Sequence, residues 1–109
     1  MLPRDKLYEK WSMIPNDLDI LVTHGPPKNI LDSTSRGENA GCVHLIGAVR
    51  LTKPAIHIFG HIHEGYGILN QDGTMFINCS INNRDYRPIN RPIRIIYDPS
   101  TKQALSKAN

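Results

Sequence analysis

The sequence predicts an α/β fold built on a mixed sheet, with two helices and a β-hairpin. Three observations carry that prediction. Two short apolar runs, at 18–22 and 55–59, are each cut off by a glycine. A stretch with helical apolar spacing, 42–51, lies between them, as in a strand–helix–strand unit. A turn string, Asn70-Gln71-Asp72-Gly73, separates two more strand-like segments. Eight glycines and eight prolines in 109 residues favour short elements and frequent turns.

Taken in order, residues 4–13 place Leu7, Trp11 and Ile14 at i, i+4 and i+7, a short amphipathic helix ended by Pro15. Residues 17–23 read as a strand in which Leu18, Ile20 and Val22 alternate with Asp19, Leu21 and Thr23. Apolar residues on both parities imply burial on both faces. His24-Gly25-Pro26-Pro27 stops this strand, since proline has no ladder donor, and 28–41 reads as a polar loop. The second helix, 42–51, carries Cys42, Leu45, Ile46 and Val49 on one side and closes at Pro54. A buried strand at 55–59 ends at Gly60, and strands at 66–69 and 74–78 form the hairpin. Residues 81–92 are irregular, 93–97 make a last strand, and from Pro99 onward a polar, frayed tail is expected.

The length fits one domain, and neither an internal repeat nor a low-complexity segment is present. A net charge of +3 favours an anionic ligand such as a phosphate but is too small to indicate a nucleic-acid module. Cys42 and Cys79 lack CxxC spacing and read as two unpaired, partly buried thiols. Met1-Leu2-Pro3-Arg4-Asp5-Lys6 has mixed charge and does not resemble a signal peptide, and no run approaches the ~20 apolar residues of a membrane span. A soluble, cytoplasmic protein is the expectation.

Five histidines stand at 24, 44, 57, 61 and 63. His24 follows one predicted buried strand; His61 and His63 follow the other, just after Gly60. Carboxyl ends of strands are where ligands bind in α/β sheets, so parallel neighbours would bring the three imidazoles to one edge. In extended backbone, residues 61 and 63 would point to one face about 6–7 Å apart, enough to flank a pair of metal ions. Imidazole suits zinc and iron, and manganese when carboxylates join it. A His-x-His pair by itself is more often structural than metal-linked, and His44 and His57 read as structural.

Longer strings sharpen this reading. Thr23-His24-Gly25-Pro26-Pro27 is followed by Phe59-Gly60-His61-Ile62-His63-Glu64-Gly65-Tyr66-Gly67, Ile77-Asn78-Cys79-Ser80 and Tyr86-Arg87-Pro88-Ile89-Asn90-Arg91-Pro92-Ile93. Together with Trp11, Ile14-Pro15, Asp19-Ile20-Leu21 and Gly41-Cys42, these strings resemble the calcineurin-like metallophosphoesterases, over residues 11–99 with a polar tail at 100–109. The likeness is greatest to the subfamily of metallophosphoesterase domain-containing proteins. The resemblance implies the C-terminal half of a four-layer αββα sandwich that carries two divalent metals (Mn, Zn or Fe), bridged by an aspartate, and hydrolyses phosphomonoesters or phosphodiesters, including nucleotides. By position, His24 and His61 match ligands of the second metal and His63 a ligand of the first.

Three earlier motifs of that family, Asp-x-His, Gly-Asp and Gly-Asn-His, have no counterpart in the chain. The mapping therefore leaves the second metal two protein ligands and the first metal one, so at most one ion is expected and no appreciable hydrolysis by this chain alone. Truncation, an alternative product or a degenerate remnant would each account for Met1 standing mid-domain. Exposed apolar surface would then invite a complementing chain or a homodimer. Glu64, Asn78 and Ser80 are expected around the ligands, and Arg84, Arg87, Arg91 and Arg94 read as a solvated basic face that could meet a phosphate. Asp72 and Asp98 read as turn residues.

Overall fold

The computed structural model describes residues 10–80 and 90–107. Within them lie strands β1 (Ile20–Val22), β2 (Ile56–Phe59), β3 (Gly67–Gln71), β4 (Thr74–Asn78), β5 (Arg94–Asp98) and β6 (Gln103–Lys107), and one helix, α1 (Val43–Thr52). The helix predicted at 4–13 falls largely outside the described residues.

The first four strands form a sheet in the order β1-β2-β4-β3. β1 and β4 both run parallel to β2, and β3 pairs antiparallel with β4, so the sheet is mixed as expected. Parallel pairing of β1 with β2 requires a crossover, and α1 supplies it. Leu45, Ile46 and Val49 are its buried stripe. Lys53 ends the helix in the left-handed region (φ 48°), its N–H bonded to the Val49 carbonyl at 2.8 Å, and Pro54 cannot continue it.

Alternation divides the sheet into two faces. Leu21, His57, Phe76 and Leu69 are aligned across four strands. Of these, Leu21, Phe76 and Leu69 pack with Phe59 and the α1 stripe. On the opposite face Ile56, Met75 and Ile77 are covered by Ile93, Ile95, Tyr97 and Ala104 of the β5–β6 hairpin and its approach. Helix, sheet and hairpin thus make three layers. All five residues of β4 are buried, as befits a strand covered on both sides.

Three details correct the sequence reading. β1 is only three residues long, because Asp17 lies in a turn and the strand pairs on one side only. The 66–69 strand runs instead from Gly67 to Gln71, which tightens the hairpin to a two-residue turn. Asp72 and Gly73 both have positive φ (54° and 84°), the geometry whose twist matches that of the flanking strands. The expected frayed tail is strand β6. Asp98 Oδ1 accepts hydrogen bonds from Ser100 N (3.0 Å) and Ser100 Oγ (2.7 Å), so Pro99 sits inside a turn. Ala104 faces the core while Leu105 lies outside, 70% exposed.

Candidate functional site

The parallel register Ile20↔Ile56, Leu21↔His57, Val22↔Ile58 makes β1 and β2 end side by side. Two further bonds carry the ladder past the strands: Thr23 N to Ile58 O (2.9 Å) and Gly60 N to His24 O (3.0 Å). His24 and His61 therefore meet. Nε2 of His24 lies 3.2 Å from Nδ1 of His61, with ring centroids 4.7 Å apart and planes tilted by 43°. Both side chains are exposed.

The extended His61-Ile62-His63 segment inferred from spacing is not present, because β2 ends at Phe59. Ile62 N bonds back to Gly60 O at 2.8 Å, and His61 at its apex has φ 71°. This is a γ-turn with a positive central φ, a rare and strained conformation for a residue with a Cβ. The turn swings His61 toward His24, while His63, half-buried, opens a 3₁₀ turn, His63–Gly65. Left-handed backbone costs a non-glycine residue about 1–2 kcal/mol. His61→Gly is therefore expected to be more stable than His61→Ala by about 1 kcal/mol in urea unfolding, since both lack the imidazole and only alanine keeps the strain.

Asn78 holds this loop in place. Fully buried at the end of β4, it donates through Nδ2 to Ile62 O (2.8 Å) and Leu31 O (3.0 Å), and its Oδ1 accepts from Ser80 N (3.1 Å). It thereby ties the 28–41 loop to the histidine loop. Gly65 passes so close that a Cβ there would stand 2.0 Å from Leu31 O. Asp32, buried in the 28–41 loop, accepts from Asn29 N and Gly41 N through one carboxylate oxygen, both at 2.8 Å. A Cβ at Gly41 would stand 2.2 Å from Pro27 O. Sequence reasoning passed over Asp32 because nothing in a polar loop distinguishes a buried carboxylate from a solvated one.

The remaining candidates are scattered. Glu64 is exposed beside His63. The Ser80 hydroxyl is enclosed without a partner among the described residues, 3.3 Å from where a Cβ on Gly60 would lie. Arg84 and Arg87 are outside the described residues. Arg91 is exposed, and Arg94, also exposed, lies on β5. Cys42 is half-buried, with Sγ 3.3 Å from Trp11 Nε1, whereas Cys79 is exposed; both are free thiols. His44 is half-buried on α1, and His57 is wholly buried in β2.

As a donor set, the His24–His61 pair suits one ion. Two Zn–N bonds of about 2.0–2.1 Å at a tetrahedral angle place their nitrogens roughly 3.3–3.4 Å apart, close to the observed separation. Among the described residues, however, no group of three or more His, Cys, Asp or Glu side chains is positioned to hold a metal. Two imidazoles would make only two of the four donors of a tetrahedral zinc. No helix among the described residues is long and apolar enough to cross a membrane.

Comparison with known proteins gives these features a context. No family model matches the chain. It is 46% identical over 97 residues to human metallophosphoesterase domain-containing protein 1, covering 86% of this chain and 30% of the human protein. It is 41% identical over 103 residues to UPF0046 protein T07D4.2 of Caenorhabditis elegans, covering 90% of this chain and 26% of that one. A second nematode relative, UPF0046 protein K07C11.7, is 41% identical over 102 residues, covering 94% of this chain and 34% of its own length. The chain thus spans about a third or less of the curated relatives it matches. With this identity extending over most of its length, the chain belongs to the metallophosphoesterase family.

Proposed function

We propose that the chain is the histidine-bearing part of a metal-dependent phosphoesterase, acting on phosphomonoesters or phosphodiesters, nucleotides among them. The contact between His24 and His61 at adjoining ends of parallel strands is the observation that carries this reading. In it, His24 and His61 hold one divalent ion, zinc, manganese or iron, and His63 is reserved as a ligand of the second ion in a complete site. Bound there, an ion would neutralise phosphate charge and lower the pKa of water. The chain's own residues orient the ligands: Asn78 secures the histidine loop, and the ladder bonds beyond β1 and β2 align His24 with His61.

The carboxylates of a complete site must come from outside these residues. In the proposed assembly the helix–sheet–hairpin unit forms part of a four-layer αββα sandwich, completed by a complementing chain or a second copy. Exposed Ile20 (40%) and Val22 (69%) on the outer strand suit such cover. A second reading, a non-catalytic remnant that binds a metal, a nucleotide or a partner, is favoured by the lack of a three-ligand cluster among the described residues.

Calorimetric titration with zinc and manganese tests both, comparing the chain with a His24→Ala/His61→Ala/His63→Ala variant. Saturable one-ion binding that disappears in the variant is expected, together with no hydrolysis of a generic phosphodiester. Equal heats from the two proteins would remove the metal from the proposal. Turnover by the unaided chain that His61→Ala abolishes would overturn the requirement for outside carboxylates.

A further inference from the structure

His57 poses a question that neither the fold nor the histidine pair answers. It is wholly buried, edge-on to Phe59 (centroids 5.0 Å apart) and Phe76 (5.7 Å), where a third apolar ring would fill the same space. Its Nδ1 is buried without a partner among the described residues. An unpaired buried polar atom costs about 1–3 kcal/mol, so the imidazole is disfavoured as mere filling.

Its other nitrogen explains the choice. Nε2 lies 2.9 Å from Thr23 Oγ1, and that hydroxyl is also 2.8 Å from Gly25 O. A carbonyl can only accept, so the single hydroxyl hydrogen of Thr23 goes to Gly25 O. The hydrogen between His57 and Thr23 must then come from Nε2, which fixes the tautomer as Nε2–H and leaves Nδ1 bare. The result is a directed chain, His57 Nε2–H to Thr23 Oγ1–H to Gly25 O, in which each bond polarises the next. Burial agrees with a neutral ring, holding His57 down to a pKa of about 4.

This chain ends on the residue after His24. With Thr23 N held by Ile58 O and His24 O held by Gly60 N, it closes a third restraint on residues 23–25. Together they set the direction in which the His24 side chain leaves the backbone. We infer that His57 and Thr23 are positioning residues, a relay that runs outward from a buried ring and aims His24 at His61. The inference rests on the metal reading only for its consequence, since the relay itself consists of hydrogen bonds within the chain.

The test uses Thr23→Val, which keeps the shape and removes the hydroxyl, and Thr23→Ser, which restores the hydroxyl. Long-range ¹H–¹⁵N spectra of the histidine rings and zinc titration are recorded for both and for the parent. The parent should show His57 as the neutral Nε2–H tautomer. Thr23→Val should shift the His24 ring resonances and weaken zinc binding about 10–100-fold, with Thr23→Ser close to the parent in both. Unshifted His24 resonances and parental zinc affinity in folded Thr23→Val would overturn the relay, as would an Nδ1–H tautomer in the parent. If the parent binds no zinc, the metal reading fails and the His24 resonances alone decide the relay. If Thr23→Val does not fold, His57→Phe, which preserves the ring packing and removes the donor, is read against the same outcomes.

Discussion

Asn78→Ala is expected to destabilise the chain by about 3 kcal/mol or more, a loss on the scale of a core truncation. Two carbonyls, Leu31 O and Ile62 O, would lose their donor and Ser80 N its acceptor, in a site from which the native side chain excludes water. Each group left unsatisfied costs about 1–3 kcal/mol. Asn78→Asp should be worse than alanine above pH 5, although it is nearly isosteric, because a carboxylate cannot donate and would face two carbonyl oxygens. Urea unfolding followed by circular dichroism measures both. A change below about 1 kcal/mol for alanine would mean that water satisfies those carbonyls and that the loops are not clamped through this residue.

Acidification from pH 7 to pH 4 is expected to remove about 3 kcal/mol of stability through His57 alone. Burial lowers its pKa from 6.5 to about 4. The folded protein therefore favours the neutral ring, whereas the unfolded chain takes up a proton near pH 6.5. The contribution is complete above pH 6.5 and declines as pH falls toward 4, below which both states are protonated and it stays lost. The measured quantity is the difference in unfolding free energy between the parent and His57→Phe at several pH values. That difference should move against the parent by about 3 kcal/mol across this window. A difference independent of pH would show that the folded ring takes up its proton as readily as the unfolded one, as a solvated ring does.

Much of the architecture was legible in the chain. The apolar run at 55–59 marked β2 as a buried strand, and Asp72-Gly73 supplied the turn between β3 and β4. Apolar residues on both parities of 17–23 misled, because β1 is an edge strand with Ile20 and Val22 exposed. The Leu45, Ile46 and Val49 stripe marked the helix that lets β1 and β2 run parallel. The last strand was not legible. Gln103–Lys107 carries too few apolar residues to announce itself, and it pairs as β6 because the Asp98–Ser100 turn folds it back onto β5. Asp32 and Asn78 escaped notice as structural clamps for a related reason: a polar side chain displays its chemistry in the sequence but not its burial.

The histidines divide along the same line. Sequence by itself determined which imidazoles stand at strand ends, because strand termination by Gly25, Pro26, Pro27 and Gly60 is a local property of those residues. Only the tertiary structure decided how they are used. A parallel pairing across 36 residues of intervening chain brings His24 to His61, and a strained turn points His61 away from the extended course that local spacing suggests. His57 illustrates the limit most plainly. Its sequence position gives a histidine in a buried strand; its tautomer, lowered pKa and grip on Thr23 depend on which strand lies beside it. Hydrogen-bond direction and desolvation are properties of neighbours in space, and those neighbours exist only once the sheet has formed.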